Sequence, residues 1–144
     1  RLVHYKPFIY SMDVTNDSYR PACQILAIIP EGPSKYDEIK NKLADYKVIR
    51  TTSPLDGETT WVEIFPGDVS KGHAAEWLCK NLSCPPDSVI AIGNDYNDLD
   101  LLNWADHSFV VDNAPSELKE KYIVTDKNTK NGFSKAIMKK WLNH

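Results

Sequence analysis

Cysteine is scarce in this sequence, with three residues among 144 and no Cys-x-x-Cys pair. An odd set without that pair favours neither a disulfide framework nor a zinc site, and it fits a reducing cytoplasm. Long apolar runs are absent too, since none approaches the roughly 18 residues of a membrane span. The first residues lack the hydrophobic core of a signal peptide. We therefore expect a cytoplasmic protein that has no membrane partner.

No excess of positive charge is present either, because the net charge is −3 and the isoelectric point is about 5.8. Binding to a nucleic-acid backbone needs a basic surface, so nucleic acid is excluded as the main partner. The sequence does contain 42% hydrophobic and 26% charged residues. That composition is ordinary for a folded domain and allows one real core or two small ones.

The pattern of apolar residues divides the chain after residue 66. Before it, the sequence predicts strands over 23–29, 47–51 and 59–65, and a helix over 34–44 that Ser34 caps. Asp56-Gly57 between the last two strands predicts a hairpin. After Pro66-Gly67-Asp68, helices are predicted over 70–82, 98–105, 116–121 and 134–142, and strands over 89–92, 108–111 and 122–124.

Regular alternation of helices and strands is typical of βαβ units and a parallel sheet. The predicted fold class is therefore α/β. Residues 1–66 form a small α+β unit, and residues 67–144 form part of a doubly wound domain.

The turn from Gly93 to Asp98 follows a short β-branched strand and precedes a helix. Open α/β sheets bind ligands at this end of a strand. Asn94, Asp95 and Asp98 offer hard oxygen ligands, which suit Mg²⁺. Asx side chains that satisfy a turn and cap a helix explain the same residues equally well. A calcium loop fits less well, because glycine is missing from its sixth position.

Lys71 follows Ser70, a predicted N-cap, and so lies in the first turn of a helix. A cation there opposes the helix dipole unless an anion compensates for it. A phosphate, or a carboxylate next to a metal, would do so. A solvated surface lysine is the plainer alternative.

Two amide-rich turns follow later strands and contain Asn113 and Asn128. In a parallel sheet they lie at the same edge as Asp95. They could orient a substrate, although Asx chemistry in a turn explains them as well.

Four segments together resemble a known family. They are Val-Ser-Lys-Gly at 69–72, Ile-Gly-Asn-Asp-Tyr-Asn-Asp-Leu-Asp-Leu-Leu at 92–102, Val-Asp-Asn-Ala-Pro at 111–115 and Thr-Asp-Lys-Asn-Thr-Lys-Asn-Gly-Phe at 125–133. Their order and spacing resemble the Cof-type sugar-phosphatase branch of the haloacid dehalogenase-like superfamily. Residues 67–144 then correspond to the C-terminal part of its Rossmann-like hydrolase core, and 1–66 to the C-terminal part of its α/β cap domain.

The resemblance implies a Mg²⁺-dependent phosphatase that hydrolyses small phosphorylated metabolites, such as sugar phosphates, through an aspartyl-phosphate. It implies that Lys71 is catalytic and binds the phosphate, and that Asp95, Asp98 and Asn94 form the metal site. Asn113 and Asn128 are implied to face the substrate.

Two departures from the family pattern stand out. The family has aspartate directly after the loop glycine, where this chain has Asn94. The nucleophilic Asp-x-Asp motif is not visible, and Asp13-Val-Thr-Asn-Asp17 is interpreted as a polar turn. A chain without a nucleophile cannot form the covalent intermediate.

We therefore interpret the chain as the C-terminal portion of a longer phosphatase and expect it to be inactive alone. The missing first strand would expose the edge of the strand at 89–92, from Val89 to Ile92, and we expect self-association there. The alternative is a non-catalytic module that binds a metabolite or a protein.

Overall fold

The fold is that of a computed structural model, which describes residues 6–8, 13, 15, 21–29, 33–53 and 59–142. Two three-stranded sheets follow one another along the chain. The first is antiparallel, with the order β1-β3-β2, and the second is parallel, with the order β4-β5-β6. The parallel sheet confirms the α/β prediction. The domain boundary at 66/67 stays a prediction, although the two sheets lie on either side of it in the sequence.

The first unit contains three strands and one helix: β1 (Ile25–Ile29), α1 (Pro33–Lys42), β2 (Tyr46–Thr52) and β3 (Thr60–Pro66). Strands β2 and β3 pair as a hairpin, from Tyr46 opposite Pro66 to Thr52 opposite Thr60. Its predicted Asp56-Gly57 turn lies outside the described residues. One face of the sheet packs on α1 through Val48 and Val62.

Several predicted boundaries in this unit differ from the structure by one or two residues, and the starts of α1 and β1 have a physical reason. Ser34 does not cap α1, because the helix begins one residue earlier at Pro33. Proline is well suited to a first helical position, since its φ is already fixed near the helical value. Strand β1 begins at Ile25 rather than Cys23. Continued pairing would place Cys23 opposite Pro66, which has no N–H to donate to a ladder.

The second unit alternates helices and strands: α2 (Lys71–Leu82), β4 (Ile90–Gly93), α3 (Leu99–Trp104), β5 (His107–Val111), α4 (Ser116–Lys121), β6 (Ile123–Thr125) and α5 (Gly132–Trp141). A 3-10 turn over Tyr96–Asp98 leads into α3. The core consists of Ala91, Leu102, Ala105, Val110, Val111, Ala114 and Leu118.

Strands β4, β5 and β6 run parallel, with Gly93 opposite Val110 and Val111 opposite Thr125. Their carboxyl ends therefore share one edge of the sheet. The loops that begin at Asn94, Asp112 and Asp126 all leave from this edge. The fold thus brings the predicted site segments to the place where open sheets bind ligands.

Candidate functional site

The loop after β4 is built around the buried carboxylate of Asp98, which is 5% exposed. Its Oδ2 accepts the N–H of Asn94 at 2.8 Å and that of Asp95 at 3.4 Å. Gly93 makes this approach possible, because a Cβ there would stand 2.8 Å from the Cβ of Asp98 and 2.9 Å from Leu102 Cδ1. The absence of a side chain at Gly93 therefore lets the Asp98 carboxylate pack against the end of β4.

Lys71 brings a positive charge to the same carboxylate. Ser70 caps α2 as predicted, since its Oγ accepts the N–H of His73 at 3.1 Å. The Lys71 ammonium donates to Asp98 Oδ1 and forms an ion pair with it. Half of the lysine side chain remains exposed. Lys71 is therefore not a fully solvated surface lysine, because a carboxylate compensates for its position in the first turn.

Close packing of α2 on α3 makes this contact possible. A Cβ on Gly72 would lie 2.8 Å from the carbonyl oxygen of Asp100. Only a residue without a side chain lets the two helices approach this far. The glycine after Lys71 thus fixes the distance between the lysine and the acidic loop.

Asp95 ties the loop to the first unit. Its Oδ2 accepts the N–H of Thr52 at 2.7 Å, and its Oδ1 accepts the Thr52 hydroxyl at 3.2 Å and the N–H of Tyr96 at 2.8 Å. It also forms a capping box with Asp98 around the 3-10 turn. Both carboxylate oxygens of Asp95 therefore bind protein donors, and they fasten β2 to the loop.

Replacing Asp95 with alanine is expected to lower the free energy of unfolding by about 1–3 kcal/mol, because partly buried donors on Thr52 and Tyr96 lose their acceptor. Urea unfolding measures the change. Asp106→Ala is the control, since Asp106 is exposed, and its effect should stay within about 0.5 kcal/mol. Equal, small effects of the two changes would show that the Thr52 contact does not hold the loop.

Asn94 is the exposed member of the loop. Its backbone N–H binds Asp98, but its side chain makes no hydrogen bond to the described residues. Its amide oxygen is therefore available to a ligand, unlike the oxygens of Asp95. The described residues contain no group of three or more His, Cys, Asp or Glu side chains that could hold a metal.

The loop nevertheless fits Mg²⁺ in the chemistry of its donors. This ion is usually held by one or two carboxylates, with water and substrate phosphate completing the shell. The amide oxygen of Asn94 and the carboxylate of Asp98 are the oxygen donors that the loop offers for that purpose, whereas both oxygens of Asp95 accept hydrogen bonds from Thr52 and Tyr96.

Asn113 and Asn128 meet each other at the same edge of the sheet. The Asn113 Oδ1 accepts the N–H of Asn128 at 3.0 Å and so joins the loops that follow β5 and β6. Both residues are exposed. Neither makes a hydrogen bond to Lys71 or Asp98 in the described part of the chain. The structure thus brings the two asparagines together, and the hydrogen bond between their loops is what it shows for them.

Comparison with known proteins identifies the family of this chain. The family model for haloacid dehalogenase-like hydrolases matches residues 3–137. The chain belongs to the haloacid dehalogenase-like hydrolase family. The resemblance to the haloacid dehalogenase-like superfamily is thereby confirmed, and a putative HAD/COF-like hydrolase from Plasmodium vivax shares the fold.

Named relatives of this hydrolase chain include phosphatases. It is 34% identical to the 5-amino-6-(5-phospho-D-ribitylamino)uracil phosphatase YwtE of Bacillus subtilis over 104 residues, which are 72% of this chain and 35% of that protein. It is 24% identical to a putative phosphatase of Haemophilus influenzae over 146 residues, covering 98% of this chain and 56% of that protein. The chain thus spans about a third to just over half of these relatives.

Solved structures show the same hydrolase fold. A haloacid dehalogenase-like hydrolase from B. subtilis matches with a TM-score of 0.64 and 25% identity, over 83% of this chain and 40% of that one. The Plasmodium vivax protein matches with a TM-score of 0.69 and 21% identity, over 88% of this chain and 44% of that one.

None of the described helices is long and apolar enough to cross a membrane.

Sequence reasoning missed a second contact between the two units, formed by Arg50, Tyr96 and Glu117. The Arg50 guanidinium stacks 3.6 Å from the centre of the Tyr96 ring and lies 3.4 Å from Glu117 Oε2. The Tyr96 hydroxyl donates to the same carboxylate. These residues come from three separate elements, so no local pattern could have revealed the contact.

The described part of the Asp13–Asp17 segment fits a polar turn. The Asp13 Oδ1 accepts the N–H of Thr15 at 2.9 Å and its hydroxyl at 2.6 Å. Hydrogen bonds from Thr15 lower the pKa of Asp13. Val14, Asn16 and Asp17 lie outside the described residues. An Asx side chain that bonds two residues ahead is the usual feature of such a turn.

Glu63, on β3, was also missed as a charged residue near the site. Burial is the largest influence on its carboxyl and raises its pKa; the Lys71 ammonium lowers it, and the Asp95 carboxylate raises it. Glu63 is partly buried and makes no ion pair with the described residues. It adds a carboxylate that the Lys71 ammonium stabilises only in part, since the pKa remains raised.

Glu63→Gln is expected to stabilise the protein at pH 7 by less than about 1 kcal/mol. The folded state binds the Glu63 proton more tightly than the unfolded state does, so this residue's contribution to stability falls as pH rises through its raised pKa. Below about pH 4 the carboxyl is protonated in both states, so the extra stability of the Glu63→Gln variant should vanish. Urea unfolding at both pH values tests this. The control is Glu76→Gln, where hydrogen bonding and the charge of Lys80 lower the pKa of Glu76, so the variant should lose stability at pH 7.

Proposed function

We propose that this chain is part of a Mg²⁺-dependent phosphatase that hydrolyses small phosphorylated metabolites, such as sugar phosphates, through an aspartyl-phosphate. The observation that carries the proposal is the Lys71–Asp98 ion pair at the carboxyl end of a parallel strand, next to the exposed amide of Asn94. An ammonium held in this way can neutralise the charge of a phosphate that enters the loop.

Each residue of the loop has a distinct part in this proposal. Lys71 binds the phosphate and the nucleophilic carboxylate as a compact point charge. Asp98 orients Lys71 and shapes the loop through the N–H groups that it accepts. Mg²⁺, when bound, supplies further positive charge toward the phosphate oxygens. Asn94 and Asp98 would hold the ion, and Asp95 would support them from its contact with Thr52.

The remaining parts of the site are also proposals. Asn113 and Asn128, joined by their hydrogen bond, would face the rest of the substrate from the neighbouring loops. The nucleophilic Asp-x-Asp motif, which in the family follows the first core strand, is not visible in this sequence, so we propose that this chain is inactive alone. Covalent catalysis would then need a nucleophile from additional protein sequence.

Replacing Asn94 with aspartate tests whether this position faces the metal. A third carboxylate in the loop, at its exposed position, should tighten Mg²⁺ binding by about tenfold, because Mg²⁺ prefers charged oxygen ligands. Titration of the chain with Mg²⁺, followed by isothermal calorimetry or amide chemical shifts, measures the affinity.

The matched control is Asn41→Asp, which makes the same charge change on the exposed surface of α1. It should leave Mg²⁺ affinity unchanged. If Asn94→Asp bound Mg²⁺ no better than the unaltered chain or the Asn41→Asp control, Asn94 would not be a metal ligand.

A non-catalytic binding module is the second candidate function. The observation that favours it is Asn94, which stands where the family has an aspartate. Such a module would bind a phosphorylated metabolite without turning it over. Binding of a sugar phosphate that persists in the longest available form of the protein, with no release of phosphate, would favour it.

Self-association at the edge of β4 stays a prediction. Strand β4 pairs with β5 on one side, and no described strand pairs with its other side. An unpaired strand edge offers free N–H and C=O groups to another chain. Sedimentation should therefore show dimers or larger species as concentration rises, whereas a strictly monomeric chain would contradict the prediction.

A further inference from the structure

The C-terminus of α2 ends in a Schellman motif that joins two cysteines. Ser83 adopts the left-handed conformation, with φ 53° and ψ 36°. The N–H of Cys84 donates to the carbonyl oxygen of Cys79 at 2.9 Å, and the N–H of Ser83 donates to that of Lys80 at 3.4 Å. These are the two hydrogen bonds that define the motif. Cys79 and Cys84 are therefore linked through their backbones.

A Schellman motif also brings the side chains of the same two residues together, usually as an apolar contact. Here both side chains are thiols, each free and partly buried. They line one cavity with Pro85 and Trp104, where the Cys84 thiol donates to the carbonyl oxygen of Pro85 at 3.7 Å. Burial raises the pKa of the Cys79 thiol, and the neighbouring Cys84 raises it further. The pair is thus held as adjacent thiols.

We propose that Cys79 and Cys84 form a reversible dithiol–disulfide site. The oxidant is a small disulfide of the glutathione class. The thiolate of one cysteine attacks a sulfur of this disulfide, forms a mixed disulfide and releases one small thiol. The thiolate of the other cysteine then attacks the protein sulfur of that mixed bond and releases the second small thiol.

The exchange is balanced. The two protein sulfurs lose two electrons, the small disulfide gains them, and the two thiol protons end on the two released thiols. Little movement is needed, because the Schellman motif already holds both residues together. The bond would fasten the last turn of the helix whose first residue is Lys71, and it would leave the Lys71–Asp98 pair untouched. This site therefore does not depend on the proposed phosphatase function.

The test uses the chain in glutathione buffers of graded redox ratio, followed by an acid quench and alkylation with N-ethylmaleimide. The reduced chain should take three labels, one on each cysteine. At ratios that are oxidising but leave Cys23 free of glutathione, it should take a single label, on Cys23, and peptide mapping should recover a linked Cys79–Cys84 peptide. Labels that persist on both Cys79 and Cys84 at ratios where Cys23 is already glutathionylated would overturn the proposal.

Two comparisons sharpen this result. The Cys23→Ser variant should take two labels when it is reduced and none when it is oxidised. That result would show that Cys23 is not needed for the disulfide. The equilibrium constant for forming the Cys79–Cys84 bond should drop about tenfold or more in denaturing urea, because the motif no longer holds the thiols together. Equal constants in the folded and denatured chains would overturn the role of the helix end. Both measurements on the unaltered chain are decisive even if a variant fails to fold.

Discussion

Replacing Lys71 with alanine is expected to lower the phosphatase activity of the longest available form of the protein at least about a thousandfold. The ammonium is the positive charge that the Asp98 carboxylate holds at the end of β4. Its removal takes away electrostatic stabilisation of the charge that develops during phosphoryl transfer. Hydrolysis of p-nitrophenyl phosphate, measured as kcat/KM, gives the effect.

The control is Lys80→Ala on the same helix. Lys80 is 73% exposed and pairs only with Glu76 in the described part of the chain, so its loss should leave the activity unchanged. Lys71→Arg should recover part of the lost activity, because it keeps the charge but not the compact shape of an ammonium. Circular dichroism confirms that each variant folds. A folded Lys71→Ala variant with unchanged kcat/KM would reject the assignment of Lys71.

Replacing Gly132 with alanine is expected to have the largest effect on stability, a loss of about 3 kcal/mol or more. A Cβ at Gly132 would lie 1.9 Å from the carbonyl oxygen of Asp126. The carbonyl of Gly132 also accepts the Thr125 hydroxyl at 2.9 Å. The start of α5 is therefore packed against the end of β6 and cannot take a methyl group without moving the backbone.

Gly67→Ala is a matched control for this change. A Cβ at Gly67 would lie 3.1 Å from the carbonyl oxygen of Asp45, a contact that a small shift relieves. Its cost should stay below about 1 kcal/mol. Urea unfolding measures both variants. Similar stabilities for the two variants would show that the contact between α5 and β6 is not the constraint that the structure indicates.

Much of the second unit could be predicted from local sequence. The helix α4 begins at Ser116 and ends at Lys121, as predicted, because it follows a proline and carries a clear apolar position at Leu118. The cap by Ser70 was likewise visible in the order of residues. Alternating strands and helices predicted the parallel sheet, since short connections leave few other topologies.

The roles of Asn94 and Asp95 could not be separated in this way. Both are Asx residues in a turn after a glycine, and local chemistry treats them alike. The structure separates them through Thr52, which lies on the other sheet and occupies the Asp95 oxygens. A contact between residues so far apart in sequence leaves no periodic signal. The stacking of Arg50 on Tyr96 was missed for the same reason.

Metal-dependent hydrolysis tests the central claim most directly. The rate at which the longest available form of the protein hydrolyses p-nitrophenyl phosphate should be measured with Mg²⁺, after addition of EDTA, and after Mg²⁺ is restored. We predict turnover with Mg²⁺, its loss in EDTA and its recovery when the ion returns. Binding of a phosphorylated metabolite with no turnover under any of these conditions would contradict the phosphatase proposal and favour the binding module.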